Sequence, residues 1–208
     1  MFLKINEIFS RIFDDSKGVE FLKYYSNSNL LEELNHFSQA DNFGKVFDIF
    51  LEVIVGFQGK KMGEFILPTE IGEFLIDLGG LKNNASVFNP FAGLATFGVN
   101  LADNQTYLGH EIDELIWAVS ILRLNAHNRL SKSEFLNANS FSNWPTSREF
   151  DLVIANPPFK LKLTKNQQIN FSGEKQVEAF LINEGVKLLK PKGKLITIYT
   201  KYKNFFSH

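Results

Sequence analysis

Apolar residues recur every three or four positions through the first 58 residues, at Ile5, Ile8, Phe9 and Ile12 and again at Val46, Phe47, Phe50, Leu51 and Ile54. That spacing winds one apolar face around a helix, so residues 1 to 58 read as a helical segment. No proline precedes Pro68, and Asp41 is placed to cap a helix running through Phe57. The stretch GFQGKKMGEF, with three glycines and two lysines, breaks the periodicity and marks a junction, leaving residues 59 to 208 as a second unit. Pro68 and Thr69 open another short helix, with Thr69 the expected cap and Ile71, Phe74, Leu75 and Leu78 expected to face a core.

From Ala85 the pattern changes to short apolar runs alternating with amphipathic stretches. The runs ASVFN, TYLGHE, EFLNAN, FDLVIAN and KLITIYT read as strands. A helix is expected from Asp113 to about Asn128, with Leu115, Val119, Leu122 and Ala126 on one face, and another from about Glu174 to Lys190. Strand and helix in regular alternation predict a parallel sheet covered on both faces. Such sheets receive ligands beyond the carboxyl ends of their strands, where the strand order reverses.

Composition narrows the classes. The 208 residues are 44% apolar, enough for a real core, and contain no cysteine. Disulfides, thiolate metal sites and cysteine nucleophiles are therefore excluded. No run of eighteen apolar residues occurs, and the charged start MFLKINEIFSRIFDD is unlike a signal peptide, so a soluble, cytoplasmic protein without a membrane partner is expected. The net charge of −1 hides an asymmetry, because residues 160 to 208 hold ten lysines against three glutamates. A phosphate-facing surface is expected on that side. His36, His110 and His127 show no ligand spacing, and a surface or capping role is expected for each.

The residues with the clearest chemistry are Asn156, Pro157, Pro158 and Phe159, just after the apolar run Leu152, Val153, Ile154. An asparagine amide oxygen and the Pro157 carbonyl offer two acceptors in fixed directions, because proline restricts its own backbone and that of the residue before it. Two acceptors suit one NH2 group. An amine on an aromatic ring is a poor nucleophile until its lone pair is localised, and accepting both hydrogens helps localise it. Phe159 adds a stacking face, as for a base turned out of its duplex. A second element, NPFAGLATFG from Asn89 to Gly98, is a strand-to-helix turn in which Gly93 permits close approach and the amides favour an anion. It matches neither the dinucleotide fingerprint nor the phosphate-binding loop. Glu111 ends the next strand, 22 residues after Asn89, where an acidic side chain commonly receives ribose hydroxyls.

Together these segments resemble the S-adenosylmethionine-dependent N6-adenine DNA methyltransferases, and most closely the methylation subunit of type I restriction-modification systems. The resemblance runs over roughly residues 44 to 200. GEFILPTEIGEFL looks like the family's GxFYTP segment, NPFAGLATFG like its DPxxGxG loop, and GHEIDE, ANSF and ANPPF like its acidic, adenine-binding and catalytic segments. EAFLINEGVKLLKPKGKLITI looks like the helix, turn and strand that follow. The implied fold is α/β, a Rossmann-like class I methyltransferase sheet behind an N-terminal helical segment. The resemblance implies that the carboxylate end of S-adenosylmethionine meets Leu67, Pro68, Thr69 and the loop Asn89, Phe91, Ala92, Gly93 to Thr96. It places the ribose at Glu111 and the cofactor's adenine at Ile112, Asn139 and Phe141. Asn156 and Pro157 would hold the target amine, and Pro158 and Phe159 complete the catalytic segment. No metal is implied. Four positions depart from the family: Leu67 for threonine, Asn89 for aspartate, Ala95 for the second glycine, and Asn139 for aspartate. Loss of two carboxylates predicts weaker binding of a sulfonium, and alanine at 95 is compatible with a negative backbone angle there.

The family's sheet has seven strands, whereas the sequence reaches only a fifth, so Leu195, Ile196, Ile198 and Tyr199 are expected on a sheet edge that a longer chain or a partner completes. The implied partners are DNA and specificity and endonuclease subunits, or a C-terminal recognition region. The alternatives are methylation of RNA adenine or protein glutamine, and a catalytically degenerate scaffold that binds DNA or a partner subunit.

Overall fold

The computed structural model describes residues 43–58, 67–158, 161–165, 167 and 175–199. The expected helix through Ile5 to Ile12, the Asp41 cap, the glycine-rich junction from residue 59 onward and Phe159 lie outside the described residues, while Gly56 to Gln58 continue the preceding helix.

Five parallel strands form one sheet: β1 (Ser86–Asn89), β2 (Thr106–Glu111), β3 (Ser133–Asn137), β4 (Phe150–Ala155) and β5 (Leu189–Thr197), in the order β3-β2-β1-β4-β5. β1 is central, and the order reverses between it and β4. The helices are α1 (Phe43–Gln58), α2 (Thr69–Gly79), α3 (Thr96–Val99), α4 (Glu114–Ala126) and α5 (Val177–Gly185). Alternation along the strands sends Val87, Leu152 and Ile154 to one face with Ile76 of α2, and Phe88, Val153 and Ala155 to the other with Phe180 and Leu181 of α5, where Phe150, before the irregularity that separates it from Leu152, also packs. A third apolar cluster joins Phe47 and Leu51 of α1 to Ile116, Val119, Leu122 and Ala126 of α4.

Local chemistry sets the element ends. Asp113 caps α4, its Oδ1 accepting from the Ile116 amide at 3.0 Å. Gly80 ends α2 at φ 58°, its amide donating to Asp77 O. β5 begins earlier than its apolar run, at Leu189, and bulges between its pairings with Phe150 and Leu152, where Pro191 cannot donate to the ladder.

The structure differs from the periodicity at several points. Thr69 is the first residue of α2 and Pro68 occupies the cap without a side-chain bond. The face of α2 that meets the domain is Gly72, Ile76 and Gly79, whereas Ile71, Phe74 and Leu78 are exposed, Phe74 at 62%. Gly72 explains the choice: a Cβ there would lie 2.5 Å from Thr96 Cγ2, so the helix docks through its smallest side chain. Leu115 is exposed on α4. The last helix is shorter than expected, because a 3-10 turn over Val186–Leu188 leads directly into β5. β5 lies at a sheet edge as expected, with Leu195 and Ile196 half-buried on opposite faces and Tyr199 exposed.

Arg129 is buried and donates to the carbonyls of Gly98 (3.4 Å), Ala102 (2.8 Å) and Gln105 (2.7 Å), tying the end of α3 and the following loop to the turn after α4. Arg129→Met leaves those carbonyls unpaired, and a loss of roughly 2–4 kcal/mol in urea unfolding is expected. A loss below about 0.5 kcal/mol would show that water replaces the guanidinium.

Candidate active site

The carboxyl ends of β1, β2, β3 and β4 bring the expected residues to one rim of the sheet. Asn89 ends β1, buried, its Oδ1 accepting from the Phe91 amide (3.2 Å) and its Nδ2 donating to Tyr107 Oη (3.1 Å). Both ends of this amide are thus used inside the protein. The Tyr107 hydroxyl, held neutral by burial, serves as acceptor. The β1–α3 loop is secured by side chains from outside it: the Gly93 amide donates to Glu111 Oε2 (2.9 Å), Ser120 Oγ donates to Gly93 O (2.8 Å) and Arg123 Nη1 to Leu94 O (2.9 Å). Gly93 has φ 52°. Ala95 also takes a left-handed backbone, φ 58°, contrary to the negative angle expected for alanine. That conformation costs an alanine roughly 1–2 kcal/mol, so surrounding contacts over-determine the turn.

Glu111 ends β2 and is 6% exposed, with Oε1 accepting from the Asp113 amide (2.8 Å) and Oε2 from Gly93. Burial pushes its carboxyl above the usual carboxylate range, and the amide donors of Asp113 and Gly93 pull the other way. A carboxylate has about four acceptor sites, so two amides leave capacity for two hydroxyl donors. Ile112 follows at 67% exposure, an apolar side chain open at the rim. Asn139 turns the chain after β3, its Oδ1 accepting from the Phe141 amide (3.0 Å), while Phe141 packs against Phe91 and Phe180 with ring centroids at 5.8 and 5.0 Å. An acceptor-rich carboxylate beside an apolar rim fits the ribose and base of an adenosine.

Asn156 follows β4, half-buried, and among the described residues its side chain has no hydrogen-bond partner; Pro157 is buried and Pro158 exposed. Since β1 separates β2 from β4, Glu111 and Asn156 stand two strand spacings apart, about 10 Å. Leu67, Pro68 and Thr69 lie beside Leu94, Asp48 and Arg123 around a small cleft of about 20 Å³. Thr96 is buried and its hydroxyl contacts Leu67 O at 3.4 Å. The candidate residues of α2, the loop, β2 and β4 therefore share the rim.

Sequence reasoning missed the residues beneath it. His110 is 2% exposed, not at the surface, with Nδ1 3.2 Å from Ser140 Oγ, which in turn donates to Pro90 O. Its signal was strand alternation, which turns His110 away from Glu111. Ser120 and Arg123 were signalled by polar residues three apart on the buried side of α4. His127 Nε2 lies 3.1 Å from Asp48 Oδ1, so it too has a packing partner. Of the lysine-rich tail, Lys190 bonds Asp151 (2.7 Å) at the amino ends of the strands, and Lys187 bonds Glu184, away from the rim. Lys162, Lys165 and Lys175 are exposed near the segment after Pro158. No group of three or more His, Asp or Glu that could hold a metal occurs among the described residues, and none of their helices is long and apolar enough to cross a membrane.

Burial lowers the His110 pKa from 6.5 to about 4. Below pH 6.5 the unfolded chain gains a proton that folded His110 refuses until about pH 4. The neutral histidine's contribution is therefore complete above pH 6.5 and is lost on the way down to about pH 4, by roughly 3 kcal/mol. Urea midpoints measured from pH 7 to 4.5 should fall, and His110→Gln should flatten most of that slope. An unchanged slope in the variant would assign it elsewhere.

The profile of the N-6 DNA methylase family matches residues 38–198. The methylase subunit of the type I restriction enzyme MjaIX from Methanocaldococcus jannaschii is 27% identical over 128 residues, which are 57% of this chain and 23% of that protein. Among solved structures, the type I restriction-modification methyltransferase subunit of Streptococcus thermophilus superposes with a TM-score of 0.65 at 18% identity, covering 77% of this chain and 40% of that one. A Listeria monocytogenes protein described as a class I S-adenosylmethionine-dependent methyltransferase gives 0.62 at 16% identity, covering 92% of this chain and 62% of its own. At these identities the structural likenesses establish the fold. The chain spans about a quarter of the curated relative's length and two fifths of the Streptococcus subunit's.

Proposed function

Because the chain belongs to the N-6 DNA methylase family, we propose that it forms the core of a DNA N6-adenine methyltransferase of the restriction-modification kind, using S-adenosylmethionine. The observation that carries this reading is Asn156: a half-buried amide without a hydrogen-bond partner among the described residues, at the end of β4, next to the strand-order reversal and followed by a buried proline. S-adenosylmethionine, when bound, supplies an electrophilic methyl group on a positively charged sulfur.

The remaining requirements fall on the chain's own residues. Asn156 Oδ1 and the Pro157 carbonyl accept the two hydrogens of the adenine amine and orient its lone pair, with Pro157 and Pro158 holding that backbone in an extended path. Phe159 stacks on the base, as the family resemblance implies. Glu111 accepts from the ribose hydroxyls with its two remaining acceptor sites. Ile112, Phe141 and Asn139 flank the cofactor's adenine. Leu67, Pro68, Thr69 and the loop Phe91, Ala92, Gly93 and Thr96 surround its amino-acid end, with Asn89 shaping the loop from below. The proposed partners are DNA and the specificity and endonuclease subunits of a type I assembly, and the proposed location is the cytoplasm.

The test is transfer of labelled methyl from S-adenosylmethionine to duplex DNA by the full-length protein with its subunits, followed by nucleoside analysis. Label in N6-methyladenine supports the reading. Label in RNA or glutamine instead would redirect the substrate, and no label with bound cofactor would favour a scaffold.

A further inference from the structure

We infer that Asp48 and Arg123 form a brace that sets the shape of the β1–α3 loop, with Arg123 the positioning residue and Asp48 the group that holds it. The effect on loop shape stands on geometry alone; the effect on cofactor binding rests on the proposed function.

Arg123 lies on the buried side of α4 and is 5% exposed. Its Nη1 donates to Leu94 O and to Thr96 Oγ1, each at 2.9 Å, on both sides of the left-handed Ala95. Its Nε donates to Asp48 Oδ1 at 2.7 Å, on α1. The Thr96 hydroxyl continues to Leu67 O, at the start of α2. One planar guanidinium thus joins α1, the loop and the segment before α2, a geometry that a lysine cannot reproduce. The loop needs such support, since Ala95 does not favour its observed backbone and the carbonyl before it and hydroxyl after it are the groups Arg123 holds.

Asp48 is the only carboxylate recorded within ion-pair distance of Arg123 among the described residues. Burial opposes its ionisation, but bonds from His127 and Arg123 outweigh that and hold its carboxyl below the usual range. Removing it leaves a buried cation without its counter-charge, free to turn from the loop. α1 itself is seated by Phe47 and Leu51 and by Gly44, where a Cβ would lie 2.7 Å from the His127 ring. Residues ahead of the sheet therefore act on a loop at its rim. Ser120, bonded to Gly93 O, grips the loop independently, so the brace accounts for part of the loop's order.

Hydrogen exchange on the full chain without ligand tests this. Amides of Leu94 to Phe97 are expected to exchange about tenfold faster in Asp48→Ala and in Arg123→Met, and the double variant no faster than Arg123→Met. Arg123→Lys should resemble Arg123→Met, and Asp48→Glu should recover part of the protection. Asp151→Ala, which breaks an ion pair at the opposite end of the strands, should leave these amides unchanged. In titrations with S-adenosylhomocysteine the single and double variants should all bind about tenfold more weakly. In the full-length protein, KM for S-adenosylmethionine should rise with kcat little changed. Wild-type exchange in Asp48→Ala, or additive effects in the double variant, would overturn the brace. Faster exchange with undiminished ligand affinity would overturn its link to binding. Faster exchange in a chain that binds no ligand even as wild type would leave the brace standing and overturn the proposed function.

Discussion

Asn156→Ala is expected to lower methyl transfer to DNA adenine by roughly 10²–10³-fold while changing S-adenosylmethionine affinity less than about threefold, the loss typical of removing one preorganised hydrogen-bonding group at a reacting centre. The split follows from position. The Asn156 amide has no partner within the described protein, so its removal disturbs no internal network, whereas its oxygen is one of two acceptors proposed for the amine. Asn156→Asp keeps an acceptor of the same reach but adds charge, and an intermediate rate is expected. Equal loss of transfer and cofactor binding would show that Asn156 belongs to the cofactor's site.

Glu111→Ala carries the second large effect, roughly a 10²-fold loss of cofactor affinity. Two hydroxyl bonds to a buried carboxylate contribute on the order of 3 kcal/mol together, and 1.4 kcal/mol corresponds to tenfold. The variant also frees the Gly93 and Asp113 amides, so the loop loses one tether. Because burial holds the Glu111 pKa above the usual range, wild-type affinity should decline as pH falls through that raised pKa, while Glu111→Gln should show a flatter profile. Calorimetry across pH checks both. A wild-type affinity in Glu111→Ala would remove Glu111 from the site.

How much of this was legible in the sequence differs by level. Short apolar runs located all five strands, because parallel strands buried on both faces leave such runs, which end where polar chemistry begins, as at Glu111 and Asn156. The start of β5 was hidden, since Lys190, Pro191 and Lys192 read as a turn while the backbone already pairs at Leu189. α2 misled for another reason. Its apolar stripe is real, but close approach to Thr96 is decided by Gly72, a residue whose value lies in what it lacks. The support beneath the rim was least legible. Arg123, Ser120 and His110 meet backbone carbonyls or hydroxyls distant in sequence, and no local spacing encodes a carbonyl's direction. Ala95 shows the limit most plainly: alanine argued for an ordinary backbone, and the grip on Leu94 and Thr96 holds it in a left-handed one.

The central claim is that the rim holds a working cofactor site despite neutral residues at 89 and 139. Calorimetric titration of S-adenosylmethionine into the wild-type chain tests it most directly. The account predicts saturable one-to-one binding at micromolar to sub-millimolar concentration, strongly weakened by Glu111→Ala. A flat trace at millimolar ligand, from a chain that unfolds cooperatively in urea, would contradict it.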